Sequence, residues 1–331
     1  MKPWGLKLCN KNYYLCIMEL MTGIDKENLR AVFSDCGACA VGFAAAGEVS
    51  PEWMERLDNF LLKGNNAGMD YMANHRDLRR DPRLLLDGCR SVISLAFSFN
   101  QPVSRGAGSG IIASYAYGRD YHKELRSRMR PAARRELEAR GAAWRICVDS
   151  APVFERFWAV RSGIGFRADN GMIIVPGHGS RVFLAEILTT LPIEPDTPAA
   201  DMDCGHCGAC RRACPGGALL PDGTVDGRRC LSYLTIEHRG EWSAPEALET
   251  MDTPCGRNTI FGCDVCLSVC PHNRDIPCSQ IPAFLPSEAM MNLTRERILR
   301  ISEEEFLRDF AGTPLMRTGL EGLRRNVTHR K

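Results

Sequence analysis

No apolar run in this chain approaches the length of a bilayer span, so the sequence predicts no membrane-spanning helix. The stretch at 13–24 is interrupted by Glu19 and has no small-residue cleavage site, so a secretory leader is not expected either. Net charge is nearly absent: 42 Lys and Arg stand against 40 Asp and Glu, which requires neither a polyanion nor a membrane surface as partner. A Gly-x-Gly-x-x-Gly opening a helix is also missing. Gly106, Gly108 and Gly110 lie too close together and follow no strand–helix unit, so a Rossmann site for nicotinamide or flavin lacks support.

What the chain has in excess is cysteine, 16 in 331 residues. In so long a sequence a secreted disulfide scaffold is a poor fit, because half of these thiols crowd into short, ligand-like spacings. The expectation is a cytoplasmic protein whose thiols remain available to metal.

Along the chain, residues 1–28 resist assignment and form an N-terminal extension. From 29 to 192 short β-rich runs alternate with helical patterns. Residues 91–99 are too continuously apolar for an exposed edge strand, and shorter strands are expected at 145–148 and 172–175. A helix is expected at 51–63. Leu125, Met129, Ala133 and Leu137 make an apolar helical stripe, with a kink or break at Pro131 and an end at Gly141. The fold class is therefore α+β, with an α/β-type N-terminal domain built on a central sheet flanked by helices. Three prolines and four acidic residues at 191–203 mark a linker. A cysteine-rich module of bacterial-ferredoxin type follows at 193–280, and 281–331 is a helical segment packing on the core. Residues 119–145 hold nine basic side chains against four acidic ones, either a solvated helix face or a surface for phosphates.

The string Cys204-x2-Cys207-x2-Cys210-x3-Cys214-Pro215 gives three thiolates that can wrap one cubane and a fourth aimed at a neighbour. Cys230 and Cys263-x2-Cys266-x3-Cys270-Pro271 repeat it, the first member lying 33 residues ahead of Cys263. By the crossed rule of two-cluster ferredoxins, Cys204, Cys207, Cys210 and Cys270 hold one [4Fe–4S] cluster, and Cys214, Cys230, Cys263 and Cys266 the other. Four-thiolate zinc is the competing assignment, against which the two Cys-Pro endings count. Cubanes fully ligated by thiolate are wires, so the chemistry is expected elsewhere. Of the remaining cysteines, the pair Cys36-x2-Cys39 is read as packed thiols rather than a redox-active pair, and Cys255 and Cys278 have no assigned role.

Around the cysteine strings stand, in order, GMDYM at 68–72, RDPR at 80–83, YAYGRDYH at 115–122, VDSAPV at 148–153, Gly179-Ser180, CLSYLTIE at 230–237 and FGCDVC at 261–266. By these motifs the chain resembles, from 41 to 326, the epoxyqueuosine reductases, cobalamin-dependent iron–sulfur enzymes that complete queuosine in tRNA. The resemblance implies a corrinoid in the N-terminal domain, fed by the second cluster, and epoxyqueuosine in a tRNA anticodon loop as substrate. An external low-potential electron donor and a monomeric, membrane-free protein are expected with it. The family's proton donor falls on Asp149; the competing role is a cap for the helix that begins near Pro152. Tyr115, Tyr117, Arg119, His122 and Ser150 are implied contacts of the corrinoid or substrate, with His122 an ordinary neutral histidine and not a cobalt ligand. In the loop GIGFRADN at 163–170 Phe166 and Asp169 replace the family's Trp and Lys, a change of sign at a loop expected near cofactor or tRNA. Set beside that family, a short form without a helical-repeat region after the cluster module is expected. Two other functions fit the same clusters: a reductive-dehalogenase-like reductase of small molecules, and a ferredoxin-like carrier.

Overall fold

The computed structural model describes residues 25–329 apart from 102, 107 and 199–201. The predicted extension at 1–28 falls mainly outside the described residues, as do Cys9 and Cys16.

Regular structure begins with α1 (Lys26–Ser34), whose first turn is capped by Asp25 accepting from the Asn28 amide. The body of the N-terminal domain then follows as β1 (Ala40–Ala45), β2 (Ser91–Ser98), α2 (Tyr121–Glu136), β3 (Trp144–Cys147), α3 (Glu155–Arg161) and β4 (Val182–Thr189). The sheet order is β1-β2-β4-β3, and every neighbouring pair is antiparallel. Antiparallel pairing with helices on both faces is an α+β layer, not a doubly wound parallel sheet.

All eight residues of β2 are buried, because each face has its own helical cover. Ile93, Leu95 and Phe97 meet Leu29 and Phe33 of α1 and Leu125 and Met129 of α2. On the opposite face Val92 lies with Phe157 and Trp158 of α3. Pro131 does not break α2. The carbonyl it leaves unpaired, that of Ser127, belongs to an exposed residue that water can serve. The helix stops at Glu136, short of the expected end; a single 3-10 turn (Glu138–Arg140) follows and is closed by Gly141, where φ is +72°. Central strand β4 has no counterpart among the expected strands. Both its faces are buried, and an acid, Glu186, sits in its middle, so neither alternation nor a clean apolar run marks it.

Residues 191–198 do not hang free. The Asp196 carboxylate takes Lys26 and Arg30 as ion-pair partners and accepts the Phe43 amide. The cysteine module places α4 (Ala209–Ala213) against α6 (Val265–Ser268), with α5 (Leu231–Ile236) beside Thr259–Phe261. That short strand pairs in parallel with Ile111–Ile112, which ties the module to the N-terminal domain. A second tie explains the Gly179-Ser180 motif: Gly179 is left-handed and Asn273 fills the space a Cβ would need, while Ser180 exchanges hydrogen bonds with that same asparagine. The C-terminal helix α7 (Gly319–Thr328) closes the other side, where the buried Asn326 amide donates to the carbonyls of Thr235 and Ile260.

Candidate active site

Asp149 follows β3 and α3 opens six residues later, so the sharp turn between them must carry the residue. Its backbone is left-handed, φ +53°, a conformation uncommon outside glycine and one that recurs where function demands it. Its amide donates to the Glu155 carboxylate, and its own carboxylate faces α2. There Tyr121 Oη donates at 2.9 Å and His122 Nε2 lies 2.8 Å away. His122 Nδ1 is 2.6 Å from Asp120, the N-cap of α2, so one imidazole bridges two carboxylates. Tyr121 is fixed by stacking on Phe183 of β4 at 4.1 Å.

The electrostatics follow from this arrangement. Burial opposes a charge on His122, but Asp120 and Asp149 outweigh it and push the imidazole up to about 9. Asp149 keeps 58% of its side chain exposed; what desolvation it suffers works against the charge, and hydrogen bonds from His122 and Tyr121 overcome it, holding the carboxyl below its ordinary range. The expectation of a neutral surface histidine is thus corrected. The proton rests on the histidine, and the two act as one coupled acid. Tyr121 has no place among the expected residues; the string YAYGRDYH contains it, but only the helix start aims it at Asp149.

His122 is raised above its ordinary 6.5, so its contribution to stability is complete below that value and is lost as pH rises toward about 9. Between those limits the melting temperature of His122→Gln should converge on that of the unmodified protein. A constant gap across the window, read by circular dichroism, would mean that the clamp is not charged.

The other expected contacts divide. Tyr115 is half-buried, edge-on to Tyr121 at 6.4 Å, and desolvation raises its phenol far above the ordinary value. Ser150 Oγ receives Arg126 of α2 at 2.6 Å. Tyr117 packs toward the C-terminal apolar cluster. Arg119 is exposed, with its guanidinium by Gly312 and away from Asp149.

The cysteines gather in two places. Cys270 lies among Cys204 and Cys207, and burial followed by their charges raises its thiol. Cys266 is raised to about 12 by burial and by Cys230 and Cys214. Thiols crowded so that each opposes its neighbour's ionisation fit a cationic iron–sulfide core, which relieves that repulsion. No described cysteine forms a disulfide. Cys255 lies against Cys263: their hydrogen bond lowers the Cys255 thiol to about 7 and raises Cys263. Cys39 is a packed thiol, donating to the Ala96 carbonyl, whereas Cys278 is exposed. Asp169, the residue of inverted sign, meets His206 at 2.8 Å beside Cys204, so the loop at 163–170 borders the first cysteine set.

A chain of contacts joins the second cysteine set to Asp149. Asp264, next to Cys263, accepts the Ser114 amide at 2.7 Å; Tyr115 follows, then Tyr121, then Asp149. On it, Ser114 Oγ is buried without a partner among the described residues, as is Nε of Arg181, whose guanidinium reaches Ser268 of the cysteine module. Such orphans fit a ligand rich in amide groups, as a corrinoid is.

A double cysteine-cluster module joined to a carboxyl–imidazole acid defines an iron–sulfur oxidoreductase. Residues 79–150 match the family model "Epoxyqueuosine reductase QueG, DUF1730", and 203–273 match the 4Fe-4S double cluster binding domain. The epoxyqueuosine reductase of Cyclobacterium marinum is 37% identical over 297 residues, 88% of this chain and 93% of that protein. That of Cellulophaga algicola is 35% identical over 305 residues, covering 92% and 95%. The chain belongs to the epoxyqueuosine reductase family. Among solved structures, an epoxyqueuosine reductase with a tRNA-Tyr epoxyqueuosine-modified stem loop superposes with a TM-score of 0.81 at 30% identity, covering 91% of this chain and 79% of that one. The Bacillus subtilis reductase, with its catalytic aspartate loop swung out of the active site, gives 0.79 at 29% identity over the same shares.

Proposed function

We propose that this chain reduces the epoxide of epoxyqueuosine in tRNA to the alkene of queuosine, drawing electrons through two [4Fe–4S] clusters and cobalamin. The observation that carries the reading is Asp149, held in a left-handed turn by Glu155, Tyr121 and His122 at the end of a contact chain from Cys263. The chemistry a bound corrinoid supplies is a reduced cobalt able to deliver electrons to carbon. The residues do the rest. Ser114, Tyr115 and Arg181 would hold the cofactor edge, and Asp149 with His122 supplies a proton to the epoxide oxygen. Tyr121 fixes the carboxyl that gives it. Overall the epoxide takes up two electrons and two protons, both C–O bonds break, and water leaves.

Substrate tRNA fits the groove of α2, about 770 Å³, lined by Lys123, Arg126, Arg130, Arg134 and Arg135. Lys123, Arg130 and Arg134 make no ion pair among the described residues, and Arg126 reaches Ser150 and the Val148 carbonyl. Phosphates on this face would lie beside the Asp149 turn, where an unstacked base must arrive. Electrons from an external low-potential donor would enter at exposed Cys207. Among the described residues no helix is long and apolar enough to cross a membrane; we take the enzyme as a cytoplasmic monomer.

The test is nucleoside analysis after anaerobic incubation of cluster- and cobalamin-loaded protein with an epoxyqueuosine stem loop and a one-electron reductant. Queuosine is the expected product; a fully loaded protein that yields none would overturn the reading. In the same assay Arg130→Glu/Arg134→Glu should raise KM and flatten the salt dependence of binding by about one unit for each phosphate no longer neutralised. Unchanged salt dependence would move the tRNA to another face.

A further inference from the structure

The motif GMDYM at 68–72 takes no part in the acid described above, yet the fold holds it firmly. After the helix Pro51–Leu62 the chain settles on the cysteine module. The Asn65 carbonyl accepts the Gly227 amide, its side-chain oxygen accepts from Arg228, and the Gly68 amide donates to Tyr233 Oη at 2.8 Å. These bonds pin residues 65–68 beside Cys230. The turn that follows, Asp70–Ala73, buries none of its residues, and Tyr71 keeps 44% of its surface exposed.

An exposed tyrosine alone is ordinary. This one has a cation fixed against it. The Arg317 guanidinium lies over the Tyr71 ring, 5.9 Å from its centroid. Glu237, the last residue of CLSYLTIE, accepts from Arg317 Nε at 2.9 Å and from Nη2 at 2.7 Å. The backbone there is held as well: the Arg317 carbonyl accepts from Arg239, and Thr318 donates to the Ile236 carbonyl. With its charge met by Glu237, Arg317 is a poor site for phosphate. What remains is the flat face of a clamped guanidinium beside an exposed ring.

Bonded residues tie this pair to the acid. Arg317 ends the turn Pro314–Arg317. Two residues ahead of that turn, the Gly312 carbonyl accepts the amide of Asp120, the N-cap of α2, at 2.7 Å. Asp120 holds His122, and His122 holds Asp149. The basic groove of α2 begins at Lys123, three residues past the same cap. A nucleotide turned out toward Asp149 leaves its loop neighbours short of a stacking partner. An exposed aromatic ring supplies one to any base, because every base has a π-face.

We propose that Tyr71, backed by the Arg317–Glu237 pair, is the stacking platform for an unpaired base next to the modified nucleotide of the anticodon loop. The proposal rests on the tRNA reading given above and extends it from phosphate contacts to base contacts. Phosphates lie along α2 and fix the register, while the ring fixes one base.

The probes are two anticodon stem loops with 2-aminopurine on the 5′ or the 3′ side of the nucleotide to be modified, titrated onto cluster-loaded protein. For one of them, bound fluorescence should be lower with the unmodified protein than with Tyr71→Ala. Tyr71→Ala should also bind about 10-fold more weakly, with an unchanged salt slope, because no phosphate contact is lost. Tyr71→Phe should keep both affinity and quenching. In turnover Tyr71→Ala should raise KM and spare kcat. Unaltered affinity and fluorescence in Tyr71→Ala would overturn the platform alone. Loss of corrinoid binding in that variant would overturn it too, by placing the ring on the cofactor. If the unmodified protein binds neither stem loop, the tRNA reading itself falls and the platform with it.

Discussion

Asp149→Asn should slow epoxide reduction by a factor on the order of 10² to 10⁴, the usual contribution of a positioned general acid. The amide is isosteric, so its oxygen can still accept from Tyr121 and His122, and the turn keeps its Glu155 contact. What disappears is the site that carries the proton to the substrate. Removing one of the two carboxylates around His122 should also bring its pKa down from about 9, which histidine NMR in the unloaded protein can follow. Iron content and the corrinoid spectrum should not change. Loss of cluster loading in this variant would make Asp149 a structural residue, and an unaltered rate would remove it from the chemistry.

The other large effect is expected at the cluster ligands. Cys270→Ala and Cys214→Ala should each halve the iron, from about eight to about four atoms per chain, and each should stop turnover. Crossing makes the pairing testable. Cys270→Ala should leave the same residual electron paramagnetic resonance spectrum as Cys204→Ala, because Cys270 lies among Cys204 and Cys207. Cys214→Ala should match Cys266→Ala, whose thiol senses Cys230 and Cys214. Spectra that instead grouped Cys214 with Cys204 would show that each string binds its own cluster. Either change breaks electron supply, because a cubane with three thiolates lacks a bond and a charge that the remaining residues do not replace.

How legible the molecule is depends on how far apart the interacting residues lie. The strand found at Ser91–Ser98 and the helix found at Tyr121–Glu136 were readable because periodicity and capping act over a few residues. Strand β4 was not, because one buried acid disrupts a pattern that the sheet tolerates for reasons lying outside the strand. The catalytic candidate itself came from resemblance. Spacing alone could not distinguish an aspartate that caps a helix from one that gives a proton.

The sequence by itself therefore determined the cysteine strings, whose ligand reach is set by two- and three-residue gaps, and the helices and strands with a clean period. Only the tertiary structure decided which charges meet. It brought His122 between Asp120 and Asp149, set His206 against Asp169 and laid Cys255 on Cys263. The physical reason is that ionisation depends on burial and on neighbours a few ångströms away. Those neighbours are supplied by chain folding across tens of residues, which no local pattern encodes.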